Sequence, residues 1–427
     1  MKVNKSLIAI VLIFISAITA LSLDRISKNT SAIQSIPATV CPGDVGDGSV
    51  VDQLPNSKTL IAPIPSNLSK MKSAETTNLL TKKALLVDGG SVTTVSIQKG
   101  SNGSLAVVNC SISDGNDWFV GGSSSVTSKG SIFLINSGLS AAQVDLIVYS
   151  QKAPTTISKT VPANSQMAIP IDTLAPGDDS IAVNVITRSG RVSTFMFDER
   201  RTGLKALGSE YVSTSTSPGT TIVIPSIPKI NAKSSGRQLI RIVVPGSVSA
   251  NLKAEVYSAD GAFAPMGLDG ISVPGSTVRD LEISPVVSDS SYSLRLDADV
   301  PIVASVLTQY GSDFLWSTAA PKLAQTYFQL GGMTPLVRLY GSVINTSLEL
   351  IDVNGKKSTV KLSGTDTISF RPRQPLVRIG FIPKVQNQYG GLILNSGSGF
   401  SSIPIEPGSH LESSQIPKSD ARTINRE

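Results

Sequence analysis

Histidine, cysteine and aromatic residues are scarce in this 427-residue chain, which has one His, two Cys, two Trp and an aromatic fraction of 5%. One imidazole and two thiols cannot furnish a zinc site, nor the sets of His ligands that iron and copper require, so no metal and no cofactor is expected. The single imidazole, His410, sits between Ser409 and Leu411 close to the end of the sequence, and neither a Ser-His-Asp nor a Cys-His arrangement is expected around it. Charge is thin as well: 16% of residues are charged, for a formal net charge of +6. Lys and Arg occur mostly singly, without the basic, aromatic-interleaved stripe of a nucleic-acid surface, so no nucleic acid is expected as a partner. Arg200-Arg201 and Arg371 with Arg373 are local exceptions. They read as solvated loop charges, with mild attraction to anionic wall polymers or lipid head groups as the other reading.

The strongest positive signal opens the chain. Lys2 and Lys5 precede a charge-free, largely apolar stretch from Ser6 to Leu23. Residues 1–22 read as an export signal, either a cleaved signal peptide or a single-pass membrane anchor. Ala20 and Ser22 offer small residues for cleavage, and loss of the segment removes two lysines, leaving +4 (6 − 2). No second apolar run approaches the length of a membrane span. The expected location is therefore extracytoplasmic, with a cell-wall polymer or envelope protein as the partner class. Cys41 and Cys110, 69 positions apart (110 − 41), are an even pair in an exported chain and favour a disulfide over two free buried thiols.

From about residue 84 onward, short β-branched runs alternate with Gly, Pro, Asn, Ser and Asp, as in Ser131–Ile135, Val144–Tyr149, Ile181–Ile186 and Val192–Phe197. This predicts an all-β fold of antiparallel β-sandwiches, immunoglobulin-like and in tandem. Only Met71–Val87 suggests partial helix. Val148-Tyr149-Ser150 recurs as Val256-Tyr257-Ser258, and Val161-Pro162 recurs as Val273-Pro274. A shorter third copy runs from Leu336 through an Asn354-Gly355 hairpin, and its Gly397–Phe400 matches Gly311–Phe314. The expected organisation is a stalk over 23–83, then sandwich units over 84–212, 213–330 and 331–410. A Ser/Thr linker fills 213–220, and a flexible tail 411–427.

Candidate chemistry is sparse. Ser66 and Lys70 lack the S-x-x-K spacing of Ser-Lys enzymes. Asp198-Glu199 and Asp297 with Asp299 are the carboxylate pairs a glycosidase would need, although the Asp297 setting reads more simply as a turn. Asp178-Asp179 and the Asp297/Asp299 pair fall short of a calcium loop. The pairs Gly89-Gly90, Gly121-Gly122, Gly331-Gly332 and Gly390-Gly391 lack the Lys-Ser/Thr of a phosphate loop and read as turns or bulges. Trp118, Phe119 and Trp316 are the candidates for a ligand-facing platform, with core packing as the competing role.

Cys41-Pro42-Gly43, the Trp118–Gly122 segment after the second cysteine, and the order N-x-G, V-x-V-Y-S and V-P-x-x-S resemble an actinobacterial large-exoprotein family, secreted or anchored, with a repeated domain of unknown function. The resemblance covers most of residues 38–410 and implies repeated β-sandwich-like domains outside the cytoplasmic membrane, with no assigned activity and no functional residues. The expected function is a non-enzymatic structural or binding role in the cell envelope. An extracellular carbohydrate-active enzyme, or a carbohydrate-binding module of one, is the alternative.

Overall fold

A computed structural model describes residues 39–407 apart from 46–48, 66–70, 89–91, 101, 112–114, 204 and 231–235. The export segment, the tail and His410 lie outside the described residues. The described residues fall within one compact unit. Among the described residues there is no α-helix, and the strands divide by their pairing into four successive sets.

The first set is β1 (Thr39–Cys41), β2 (Ser49–Gln53), β3 (Leu60–Ile64), β4 (Lys72–Ser73), β5 (Asn78–Thr81), β6 (Ala84–Asp88), β7 (Val92–Thr93), β8 (Val95–Lys99) and β9 (Leu105–Asn109). It forms two sheets, β1-β6-β3-β4 and β5-β2-β8-β9. The second set is β10 (Asn116–Val120), β11 (Ser131–Asn136), β12 (Ala142–Tyr149), β13 (Thr155–Val161), β14 (Ser165–Pro170), β15 (Ala182–Ser189), β16 (Val192–Thr202) and β17 (Lys205–Val212). Its sheets, β10-β15-β12-β13 and β14-β11-β16-β17, repeat the same order.

The third set is β18 (Gly219–Pro228), β19 (Arg237–Val244), β20 (Ala250–Ser258), β21 (Gly261–Phe263), β22 (Ile271–Val273), β23 (Thr277–Glu282), β24 (Ser291–Tyr310) and β25 (Asp313–Thr318). Here the 20-residue β24 serves both sheets: its first half lies between β18 and β20, its second between β19 and β25. The fourth set is β26 (Thr326–Met333), β27 (Leu336–Asp352), β28 (Lys357–Phe370), β29 (Leu376–Pro383), β30 (Tyr389–Ser396) and β31 (Gly399–Pro404). In it β27 and β28 each pass from one sheet to the other, and the order is again the same. The four sets are called units 1 to 4. In each, the sheet containing the unit's first strand is its first sheet and the other its second.

The hydrophobic clusters show how the sheets stack. Within units 2 and 3 the two sheets face each other across one core. Between units, the first sheet of one packs on the second sheet of the next: Val40, Ile64 and Leu86 on Phe133 and Phe195, then Trp118, Val120 and Ala182 on Val243, Val278 and Val303, then Val223 and Tyr257 on Tyr340 and Tyr389. The series closes on itself, because Phe328 and Phe381 of unit 4 share a cluster with Val95, Ile97, Leu105 and Val107 of unit 1. Such a cyclic stack is propeller-like, and sheets buried on both faces lose the alternation of a half-exposed strand. In β11, Ile132 and Leu134 enter the unit 2 core while Phe133 and Ile135 enter the seam with unit 1. Among the described strands the pairing is antiparallel except where β7 of unit 1 lies parallel to β26 of unit 4.

The all-β, antiparallel expectation therefore holds, and several finer ones change. The immunoglobulin order places the first strand beside the second and the seventh beside the sixth; here a unit's first strand pairs with its sixth, as in β10 with β15, and its seventh with its second, as in β16 with β11. The units do not project as beads on a string. From Thr39 on, the expected stalk consists of strands, and so does the expected helix of Met71–Val87, which holds β4, β5 and most of β6. The 213–220 linker is tied down: Ser215 N donates to Trp118 O at 2.8 Å, and Thr214 Oγ1 donates to Glu406 Oε1 at 3.3 Å.

Candidate functional site

The last strands of the four units, β9, β17, β25 and β31, lie against one another in a closed cycle. They are edge strands of their sheets, so their outward N–H groups need acceptors. Two buried carboxyls supply some of them. Asp313 Oδ2 accepts from Leu105 N at 3.3 Å and Phe400 N at 3.0 Å. Glu210 Oε1 accepts from Tyr211 N at 2.9 Å, Val107 N at 3.3 Å and Ser401 Oγ at 2.9 Å. Each acid thus joins strands of different units. Gly208, at φ +105°, is required beside them, because a Cβ there would come within 2.4 Å of Asp313 Oδ1.

Burial pushes the Asp313 carboxyl up to about 7 and holds Glu210 well above its ordinary range. Asp52 in β2 is likewise raised by burial to about 7, against hydrogen bonds from Ser96 Oγ and Thr81 Oγ1. In the window between the ordinary value of 3.8 and about 7 the folded protein holds more protons than the unfolded chain. Stability from these groups is complete below the unfolded value and is lost as pH rises through about 7. The thermal midpoint is accordingly expected to fall between pH 5 and pH 8, and Asp313→Asn to flatten that slope. A midpoint that rises over the same range contradicts the assignment.

The residues singled out in the sequence are scattered. Cys41 and Cys110 are disulfide-bonded, with Cα atoms 4.4 Å apart, and tie β1 of one sheet to the end of β9 in the other. Trp118 and Phe119 are buried on opposite faces of β10; Trp118 packs against Tyr149 with ring centroids 5.5 Å apart. Trp316 is fully buried, donates Nε1–H to Asp198 Oδ2 at 3.1 Å and lies beneath the Arg241 guanidinium. None of the three lines a described cleft. Asp198 and Glu199 pair with Arg200 and Arg201, so these arginines are not free loop charges, and Arg200 also covers the Phe314 ring at 4.5 Å. Asp297 and Asp299 lie within β24, not in a turn, and accept from Thr221 and Asn251. Asp178 pairs with Lys152. Gly390-Gly391 is strand interior pressed against Ile405, Leu339 and Ser226, while Gly331-Gly332 is the expected bulge. Gly89-Gly90, Ser66 and Lys70 lie outside the described residues.

Three of the four seams between units are filled by a large side chain from the second strand of a unit. Phe133 of β11 enters the seam with unit 1. Arg241 of β19 enters the seam with unit 2, where its Nε and Nη2 donate to Asp280 at 2.8 Å and its Nη1 donates to the carbonyls of Gly122 and Ile181. Burial would raise Asp280, but the Arg241 charge and hydrogen bonds hold it below its ordinary value. Arg338 of β27 enters the seam with unit 3, donating Nη1–H to Asp289 at 2.7 Å and Nη2–H to Tyr257 O at 3.2 Å.

The fourth seam, between units 4 and 1, has Gln53 at that position, and it lies over a glycine. There β2 presents Ser49, Val51 and Gln53, and the facing strand β26 carries Gly331 and Gly332 at φ +58° and +92°. The register of β26 on β29 breaks between Gln329 and Met333. A bulge without side chains leaves the outer seam open as a cleft of about 450 Å³. Its other walls are Asn78 of β5, Ile97 and Lys99 of β8, Met333-Thr334, and Asn395-Ser396 at the end of β30. Sequence reasoning marked the double glycine but not the strand opposite, which it had placed in the stalk.

A family model described as "Family of unknown function (DUF5719)" matches residues 72–335. That is more than half of the sequence, and the chain belongs to this family. No curated protein matches. Among solved structures, one similar chain is an α-L-rhamnosidase of Streptomyces avermitilis complexed with L-rhamnose, at 9% identity and a TM-score of 0.15, covering 82% of this chain and 55% of that one. The chain thus spans about half the length of the rhamnosidase. Another is the structure of infectious bursal disease virus Gx strain, at 12% identity and a TM-score of 0.13, covering 86% and 82%. TM-scores this low do not amount to a shared fold.

Proposed function

We propose that this is an exported protein of the cell envelope, secreted or held at the membrane by its N-terminal segment, that works without catalysis as a rigid binding scaffold of the large-exoprotein kind. The observation that carries this reading is the closed stack of sheets. Its buried acids and aromatics hold units together: Asp280 receives Arg241, Asp198 receives Trp316, and Glu210 and Asp313 receive backbone N–H groups of neighbouring strands. What such a body offers to a partner is its rigid outer surface and the cleft between units 4 and 1. The enzyme version of the carbohydrate alternative would bring Trp118, Trp316 and two carboxylates together in a concave pocket; both indoles instead pack between sheets.

Fractionation of expressing cells with mass determination of the N-terminus tests the location. The expected product is outside the cytoplasm, starting near Leu23 if released or at the initiator region if anchored. Recovery of the full chain in the cytoplasm would sink the proposal. Retention of the purified protein on wall or capsule polysaccharide tests the binding role, and passage through every fraction counts against it.

A further inference from the structure

We propose that the cleft between units 4 and 1 binds a saccharide unit bearing a carboxylate, a reading that rests on the binding role proposed above and names its ligand. The cleft's size suits one or two sugar rings. Its polar groups are the carboxamides of Gln53, Asn78 and Asn395 and the hydroxyls of Ser49, Thr334 and Ser396, which can both donate to and accept from sugar hydroxyls. Val51, Ile97 and Met333 give it an apolar side for the C–H face of a ring.

Gln53 is the informative residue. It is only 4% exposed and its Oε1 has no hydrogen-bond partner, although a buried unpaired carboxamide oxygen is costly. Its carboxamide lies over Gly331, where any Cβ would collide with it, so backbone conformation and side chain together keep an amide in the cleft wall. The other seams use that position on the second strand for a plug. Among the described residues no Asp or Glu lines the cleft and Lys99 is the one charged group of its lining, which selects for an anionic substituent on the sugar.

The test is calorimetric titration of the full-length protein with sodium glucuronate and with methyl β-glucoside at low salt. Saturable binding of glucuronate is expected, tighter than that of the glucoside by about threefold, the scale of one exposed ion pair. Lys99→Met is expected to erase this preference while keeping the glucoside site. Asn78→Trp, an exposed position on β5, is expected to fill the cleft and weaken both probes by at least about tenfold with an unchanged unfolding midpoint. No saturable binding of either probe overturns the proposal, as does an Asn78→Trp protein that still binds. If polysaccharide retention survives Asn78→Trp, the cleft assignment fails and the binding role stands; if the unaltered protein is not retained at all, the role itself fails.

Discussion

A protein in which Cys41 and Cys110 are both serine is expected to lose about 4 kcal/mol of stability, measured by denaturant unfolding against the oxidised parent. The bond closes a loop of 69 residues, and most of unit 1 lies within it. Unit 1 has the shortest strands in the molecule, two to five residues each, and a small core in which the two cysteines are themselves members beside Leu54, Leu85 and Val87. Strands that short close little apolar surface, so the cross-link replaces what the core does not supply. A loss below about 1 kcal/mol would mean that the unfolded chain is already restricted there by other means. Because β9 of unit 1 also supplies N–H groups to Asp313 and Glu210, the loss should appear as one cooperative transition of the whole ring, not as early melting of unit 1 alone.

Arg241→Met is expected to cost about 3–5 kcal/mol, the range for removing one partner of a buried ion pair. The guanidinium is 2% exposed and satisfies Asp280 of β23 together with the carbonyls of Gly122, Ile181 and Asp179, which follow β10 or precede β15 at the seam of units 2 and 3. Methionine keeps most of the volume but leaves Asp280 without its counter-charge. The double variant Arg241→Met/Asp280→Asn should recover part of the loss, because an amide is less costly to bury than a lone carboxylate. If the double variant is less stable than the single one by the sum of independent effects, the two residues are not coupled as the geometry requires.

Much of the strand arrangement was legible in the repeats. Val148-Tyr149-Ser150 and Val256-Tyr257-Ser258 close β12 and β20, which hold the same place in units 2 and 3. Gly311–Phe314 and Gly397–Phe400 lead into β25 and β31, again equivalent. The hairpin at Asn354-Gly355 joins β27 to β28, with Gly355 at φ +78°. Unit 1 was not legible, because strands such as Lys72–Ser73 and Thr39–Cys41 are too short to display a period and are flanked by Pro, Ser and Asn. The turn read at Asp297 is absent for a related reason: Pro301 sits inside β24, where the strand leaves one sheet for the other, so a turn-like composition marks a crossing. The cleft was illegible because it depends on Gln53 and a glycine bulge facing each other where the other seams carry Phe133, Arg241 and Arg338, and only the assembled ring shows which seam that is.

Parallel pairing of β7 with β26 joins segments more than 230 residues apart, since Val92 registers with Tyr327. Ring closure must therefore wait for the fourth unit, and contacts of such sequence separation make folding slow. Until then the inner edges of β9 and β17 stay open to pairing with other chains. A chain crossing a membrane from its N-terminus would hold its first unit unfinished until the last one emerged. Its vulnerability to proteases and to aggregation belongs to that interval and not to the finished ring.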